Sequence, residues 1–170
     1  MKRIVILSAA SALTLALAVY ATLGLRAASA HTGHSAAKGH TTHSFEAGEP
    51  GDAKKSFRTI EILMKDGAGT MSFAPERIEV KKGEQIKFVL KNVGQVDHEF
   101  LVDSVANNAR HKVEMEKNPD MAHEEPNGAR LKPAESRQLL WRFSKAGTFE
   151  FACLLPGHYE SGMKGVVVVR

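Results

Sequence analysis

Residues 147–170 read Gly147-Thr-Phe-Glu-Phe-Ala-Cys153-Leu-Leu-Pro-Gly-His158-Tyr-Glu-Ser-Gly-Met163-Lys-Gly165-Val-Val-Val-Val-Arg170. Ala146-Gly147 turns the chain into a run that sets Phe149, Phe151 and Cys153 on one face, the period-two pattern of a half-buried strand. Gly165 opens a second run, Val166 to Val169, whose unbroken valines predict a strand buried on both faces. Between the two strand ends lies the spacing C-x4-H-x4-M. A loop anchored at both ends by a sheet can fold its side chains around one point. Thiolate, imidazole and thioether are soft or borderline donors, and two His with one Cys and a weak axial Met form a site suited to redox-cycling copper. The loop supplies only one His, so a second must come from elsewhere.

Upstream the pattern stays β. Phe57 to Met64 is rich in strand formers and breaks at Asp66-Gly67-Ala68-Gly69. Met71 and Phe73, then Ile78 and Val80, predict a second strand interrupted at Pro75. After the turn at Lys82-Gly83, Ile86, Phe88 and Leu90 alternate with polar residues. Glu99 to Val102 forms another apolar run, and Leu139, Trp141 and Phe143 share one face of the run from Gln138. Short strands with turn signals between them predict an all-β protein, an antiparallel sandwich or barrel. The polar stretch Ser104 to Asn127, with Pro119 and Pro126, reads as an insertion over one end, with a short helix around Ala109 to Lys117.

His98 is the candidate second imidazole. It lies in Asn92-Val-Gly-Gln-Val-Asp-His98-Glu-Phe-Leu-Val, directly before an apolar strand, whereas His111 and His123 sit in the polar insertion. A ligand that must hold fixed geometry belongs on a rigid element. Taken singly, each residue has a plainer reading: Cys153 as a small buried hydrophobe, His158 as a surface residue, Met163 as core filler. Together, at one strand-loop-strand unit, they favour copper. One thiolate with a Met is unusual for structural zinc. The insertion also holds His111, Met115, Met121 and His123, a candidate second copper group, although polar insertions gather such residues by chance.

The pattern N-x-G-x-x-x-H, followed by G-T-F-x-F-x-C and then P-G-H-x-x-x-x-M, resembles the cupredoxins, the azurin, plastocyanin and pseudoazurin group. The resemblance covers about Phe57 to Arg170. It implies a Greek-key β-sandwich with one type 1 copper ion ligated by His98, Cys153, His158 and Met163. The likeness extends to bacterial periplasmic cupredoxins with His-rich N-termini, some tied to copper tolerance. The chain departs from the pattern at Glu99, where azurin and plastocyanin often carry an Asn that ties the ligand loops together. That bond must be replaced or absent here. The ligand loop also differs in length from those relatives.

Residues 1–30 read as an export signal, with Lys2-Arg3, an apolar run from Ile4 to Leu25 and the small-residue step Ala28-Ser29-Ala30. An uncleaved anchor is the competitor, since the run is long enough to span a bilayer. Either way the domain, residues 56–170, is expected outside the cytoplasm, in the periplasm, without stable membrane association once the signal is cleaved. Residues 31–55 read as a flexible tail too poor in large apolar residues to bury a core. His31, His34, His40 and His43 suit weak extra copper binding; an inert linker is the alternative. Without residues 1–30 the chain keeps 20 basic and 19 acidic residues, a balance that gives no reason to expect nucleic acid. Cys153 has no cysteine partner in the chain, so no internal disulfide is available.

No H-x-H pair of the multicopper oxidase kind occurs, and a copper-bound thiolate is not a free nucleophile. An enzyme is not expected. Two functions remain: copper tolerance by binding periplasmic copper, with the His-rich tail as a collecting arm, or electron transfer with a transient redox protein partner docking around His158. The tail favours the first.

Overall fold

Ile86, Phe88 and Leu90 are fully buried while Lys87, Val89 and Lys91 are only partly so, which is the exposure that their alternation predicts. The computed structural model describes residues 45–118 and 125–170. The export segment, the four tail histidines, Met121 and His123 lie outside the described residues. In chain order the elements are β1 (Glu49–Pro50), β2 (Arg58–Gly67), β3 (Thr70–Ala74), β4 (Arg77–Val80), β5 (Gln85–Asn92), β6 (His98–Asp103), α1 (Val105–Lys117), β7 (Gly128–Leu131), β8 (Ser136–Arg142), β9 (Gly147–Ala152) and β10 (Lys164–Val169).

The strands form two five-stranded sheets, ordered β1-β8-β5-β2-β3 and β4-β10-β9-β6-β7. They are called sheet A and sheet B below. The chain crosses between them repeatedly, as a Greek-key sandwich requires. Between the sheets lies an aromatic core in which the rings of Phe73, Phe88, Phe100 and Phe151 meet at centroid distances of 5.2 to 5.9 Å. Trp141 and Phe143 are also fully buried, and each such side chain contributes roughly 1.5–3 kcal/mol by leaving water.

Five sequence expectations change. The single strand expected to be interrupted at Pro75 is two strands in different sheets: β3 pairs with β2 and β4 pairs with β10. Pro75 lacks the N–H that an unbroken ladder needs. The sandwich is mixed rather than antiparallel throughout, because β2–β5 and β4–β10 run parallel. In β10, Val167 and Val169 are buried but Val166 and Val168 are partly exposed, so its outer face is not fully covered. The helix of the insertion is longer than expected and starts at Val105, because Ser104 caps it by accepting the Asn107 N–H at 3.2 Å.

The fold also reaches further toward the N-terminus than the expected boundary at residue 56. The Phe45 ring packs edge-on against Trp141 at 5.4 Å, and Ala47 is fully buried. Asp103 Oδ1 accepts the N–H of Glu46 at 2.9 Å and of Ala47 at 3.3 Å. Gly48 passes so close to β8 that a Cβ there would lie 2.0 Å from the Arg142 carbonyl oxygen. Residues 45–50 are therefore part of the sandwich rather than of a tail.

Candidate metal centre

Three of the four expected ligands converge at one end of the sandwich. His98 opens β6, Cys153 follows β9, and His158 lies in the loop between β9 and β10. Their ligand atoms all fall within 4.8 Å of one another, and no other group of three or more His, Cys, Asp or Glu does so among the described residues. Nδ1 of His158 lies 3.3 Å from His98 Nδ1 and 3.3 Å from Cys153 Sγ. His98 and Cys153 are fully buried, while His158 is half-buried between the site and the exposed Pro156-Gly157 step.

The loop is shaped by its own backbone. Cys153 N–H donates to the Met163 carbonyl at 3.0 Å, and Met163 N–H donates to the His158 carbonyl at 3.1 Å. His158 N–H donates to Leu155 O at 3.0 Å, and both the N–H and Oγ of Ser161 bond to Gly157 O. Gly157, at φ +85°, takes a left-handed conformation that other residues rarely adopt. The three expected ligand positions of this loop, Cys153, His158 and Met163, are thus linked by backbone hydrogen bonds. Met163 is fully buried at the entrance to β10.

His98 is oriented by Asp66, whose Oδ1 lies 2.8 Å from His98 Nε2. A carboxylate only accepts, so Nε2 donates to it and Nδ1 is the ring nitrogen turned toward Cys153 and His158. Burial works against the Asp66 charge, but the bonds from His98 and from the backbone N–H of Gln95 and Val96 outweigh it and hold the carboxyl below the usual range. Gly94 makes room for this pair: a Cβ there would sit 1.8 Å from Asp66 Oδ1 and 2.9 Å from His98 Nε2. Asn92 braces the same loop, donating to Val96 O at 2.8 Å and Leu131 O at 3.1 Å while accepting the Gly94 N–H at 2.9 Å.

Glu99 settles the departure noted in the sequence. Its N–H donates to Cys153 Sγ at 3.2 Å, and its carboxylate accepts the Leu154 N–H at 3.3 Å. The tie between ligand loops is therefore replaced, by a carboxylate, rather than absent. Burial raises the Glu99 carboxyl to about 7 against the pull of that N–H. Burial likewise pushes the Cys153 thiol up to about 12, although the N–H groups of Glu99 and Leu155 oppose it. Desolvation, with His98 beside it, lowers His158 below the usual imidazole range.

A thiol, two imidazoles whose Nδ1 atoms face each other at 3.3 Å and a nearby thioether residue form a donor set that fits one soft or borderline cation. Such a cation would displace the thiol proton and neutralise the buried sulfur. His111 is not part of the group. It lies on α1, and Met115, one turn later, is buried in the core. The rest of the suggested second copper group, Met121 and His123, falls outside the described residues.

Asp66 escaped the sequence reading because Asp66-Gly67 looks like turn chemistry. Both residues still belong to β2, where Asp66 pairs with Met71. The available signal was the Gly of N-x-G-x-x-x-H, a close approach waiting for a partner.

Residues 60–170 match the family model described as copper binding proteins, plastocyanin/azurin family. The chain is 47% identical over 123 residues to the copper-resistant cuproprotein CopI of Rubrivivax gelatinosus, covering 72% of this chain and 73% of that one. It is 35% identical over 152 residues to the copper-resistant cuproprotein CopI of Pseudomonas aeruginosa, covering 72% and 82%. Among solved structures, auracyanin B superposes with a TM-score of 0.58 at 22% identity over 74% of this chain and 98% of that one, a likeness of fold.

Proposed function

The chain belongs to the plastocyanin/azurin family of copper-binding proteins, and from that premise we propose that it is a periplasmic copper-tolerance protein holding one copper ion through His98, Cys153, His158 and Met163. The observation that carries the ligand set is the mutual approach of His98 Nδ1, His158 Nδ1 and Cys153 Sγ, with the His98 tautomer set by Asp66. Bound copper would supply one-electron chemistry there. The protein's part is to keep the cradle dry, to present lone pairs rather than N–H groups, and to stabilise the thiolate with the Glu99 N–H.

Copper tolerance is supported by the names of the relatives in Rubrivivax and Pseudomonas, both copper-resistant cuproproteins. It is also supported by the export-like segment and by His31, His34, His40 and His43, which can gather further copper beside a domain to which they are tethered. A non-enzymatic role fits the lack of any H-x-H pair in the sequence. Among the described residues, no helix is long and apolar enough to cross a membrane. A second reading, electron transfer to a transient protein partner, draws on the half-buried His158 beside exposed Pro156 and Gly157.

Growth of a deletion strain across a copper series, with respiration measured alongside, separates the two. Copper tolerance predicts sensitivity to copper that wild-type protein rescues and Cys153→Ser does not. Normal tolerance with slowed respiration assigns the protein to electron transfer instead.

A further inference from the structure

Glu150 is a buried acid that the copper cradle does not use. It lies on β9, three residues before Cys153, and is 7% exposed. Its neighbours Phe149 and Phe151 belong to the core, so strand alternation turns Glu150 to the outer face of sheet B, where α1 packs against β6 and β9. A carboxylate so placed must find donors, and its two oxygens find them on different elements. Oε1 accepts from Asn108 Nδ2 of α1 at 3.1 Å, and Oε2 accepts from Tyr159 Oη of the ligand loop at 3.0 Å. The Asn108 amide also reaches the Glu150 carbonyl at 3.4 Å. Four residues along the helix, Lys112 meets Glu160 at 2.6 Å, and Lys164 covers the Tyr159 ring at 4.3 Å. Two consecutive residues after His158 are thus fastened, one through Glu150 and one directly, to a single helix.

We propose that Glu150 is a positioning residue: joined to Asn108 and Tyr159, it locks α1 onto the loop that carries His158 and Met163 and so slows copper release. This rests on the ligand set proposed above. For the ion to leave, the loop must swing away from the strand ends, and the swing breaks the Tyr159–Glu150 bond at a carboxylate that is itself buried. Asn108 holds the same carboxylate from the helix side, so its loss frees Glu150 to follow Tyr159. The Lys112–Glu160 pair is more exposed, with Glu160 55% accessible, and adds little. The helix belongs to the insertion, so a segment outside the ligand set gains control over it.

The test is the rate at which copper-loaded full-length protein loses its ion to a chelator in excess. Tyr159→Phe removes one oxygen and should speed release roughly five- to tenfold. Asn108→Ala, which touches no ligand, should act in the same direction. The double variant should be no faster than the faster single one, because both act through Glu150. Lys112→Ala should stay within about twofold. Unfolding of the metal-free variants is measured in parallel, and the intense visible band should persist in all of them. A Tyr159→Phe protein that releases copper at the wild-type rate overturns the proposal, as does a double variant whose effects multiply. So does faster release confined to Asn108→Ala and matched by a loss of stability, since the helix would then be structural only. Failure of the ligand set shows elsewhere, as an intense band that survives Cys153→Ser.

Discussion

Sheet A keeps a wet face and sheet B has a dry outer stretch at its centre, and the candidate ligands belong to the dry one. On sheet A, buried and partly exposed positions alternate along β5 and the second half of β8, and the outer face carries ion pairs such as Lys91–Glu61 at 2.6 Å, with side chains 43% and 49% exposed. On sheet B, every residue of β6 is buried, because α1 covers the face that would otherwise meet water. His98 opens β6, Cys153 follows β9 and Met163 precedes β10, all in sheet B. Sheet A contributes the Asp66 carboxylate, at the end of β2, which meets His98 directly. Strand β6 and the end of β9, buried on both sides, hold their ends still, which is what a cradle of fixed geometry requires. The sheet with a free face supplies the carboxylate that selects a tautomer from outside.

Truncations should separate the two sheets, and the largest effect should fall on stability alone. Trp141→Ala empties the core side of sheet A and should cost about 3–5 kcal/mol in denaturant unfolding of the metal-free protein. The visible band of the folded, copper-loaded fraction should keep its position. A shifted band would mean that sheet A shapes the cradle directly and would break the comparison.

Asp66→Ala removes the carboxylate that sheet A holds against His98. Copper affinity, measured by competition with a chelator, should fall about 10- to 100-fold, the usual cost of losing a group that orients a metal-bound His. An unchanged affinity would leave His98 oriented by its packing alone. Removing residues 1–54 takes away Phe45, Ala47 and β1, and should destabilise the fold by about 1–2 kcal/mol, whereas removing residues 1–44 should cost nothing measurable. Equal stability of the two shortened chains would return residues 45–50 to the tail. The smallest effect belongs to the wet face: Lys91→Met should change unfolding by no more than about 0.5 kcal/mol.

What was legible in the sequence follows the same division. The ligand loop could be read because soft donors at C-x4-H-x4-M between two strands have few uses besides a metal, and His98 could be read from its place at the head of an apolar run. The amphipathic strands of sheet A showed in their period. The double burial of β6 did not, since it depends on a helix whose cap, Ser104, lies in a stretch that looked irregular. Asp66 was hidden because Gly67 follows it, and Glu150 because a charged residue between two Phe reads as solvent-facing until something covers it. Phe45 and Ala47 were too few to mark a strand, and they count only because Trp141 and Asp103 receive them.

The central claim, that one copper ion sits among His98, Cys153 and His158, is tested most directly by X-ray absorption at the copper edge of the loaded protein and its Cys153→Ser variant. The wild-type spectrum should contain a short sulfur shell together with two imidazole nitrogens, and the variant should lose the short sulfur shell while keeping the nitrogens. A wild-type spectrum with nitrogen and oxygen only, or a variant that retains the short sulfur shell, would place the copper elsewhere and contradict the ligand set.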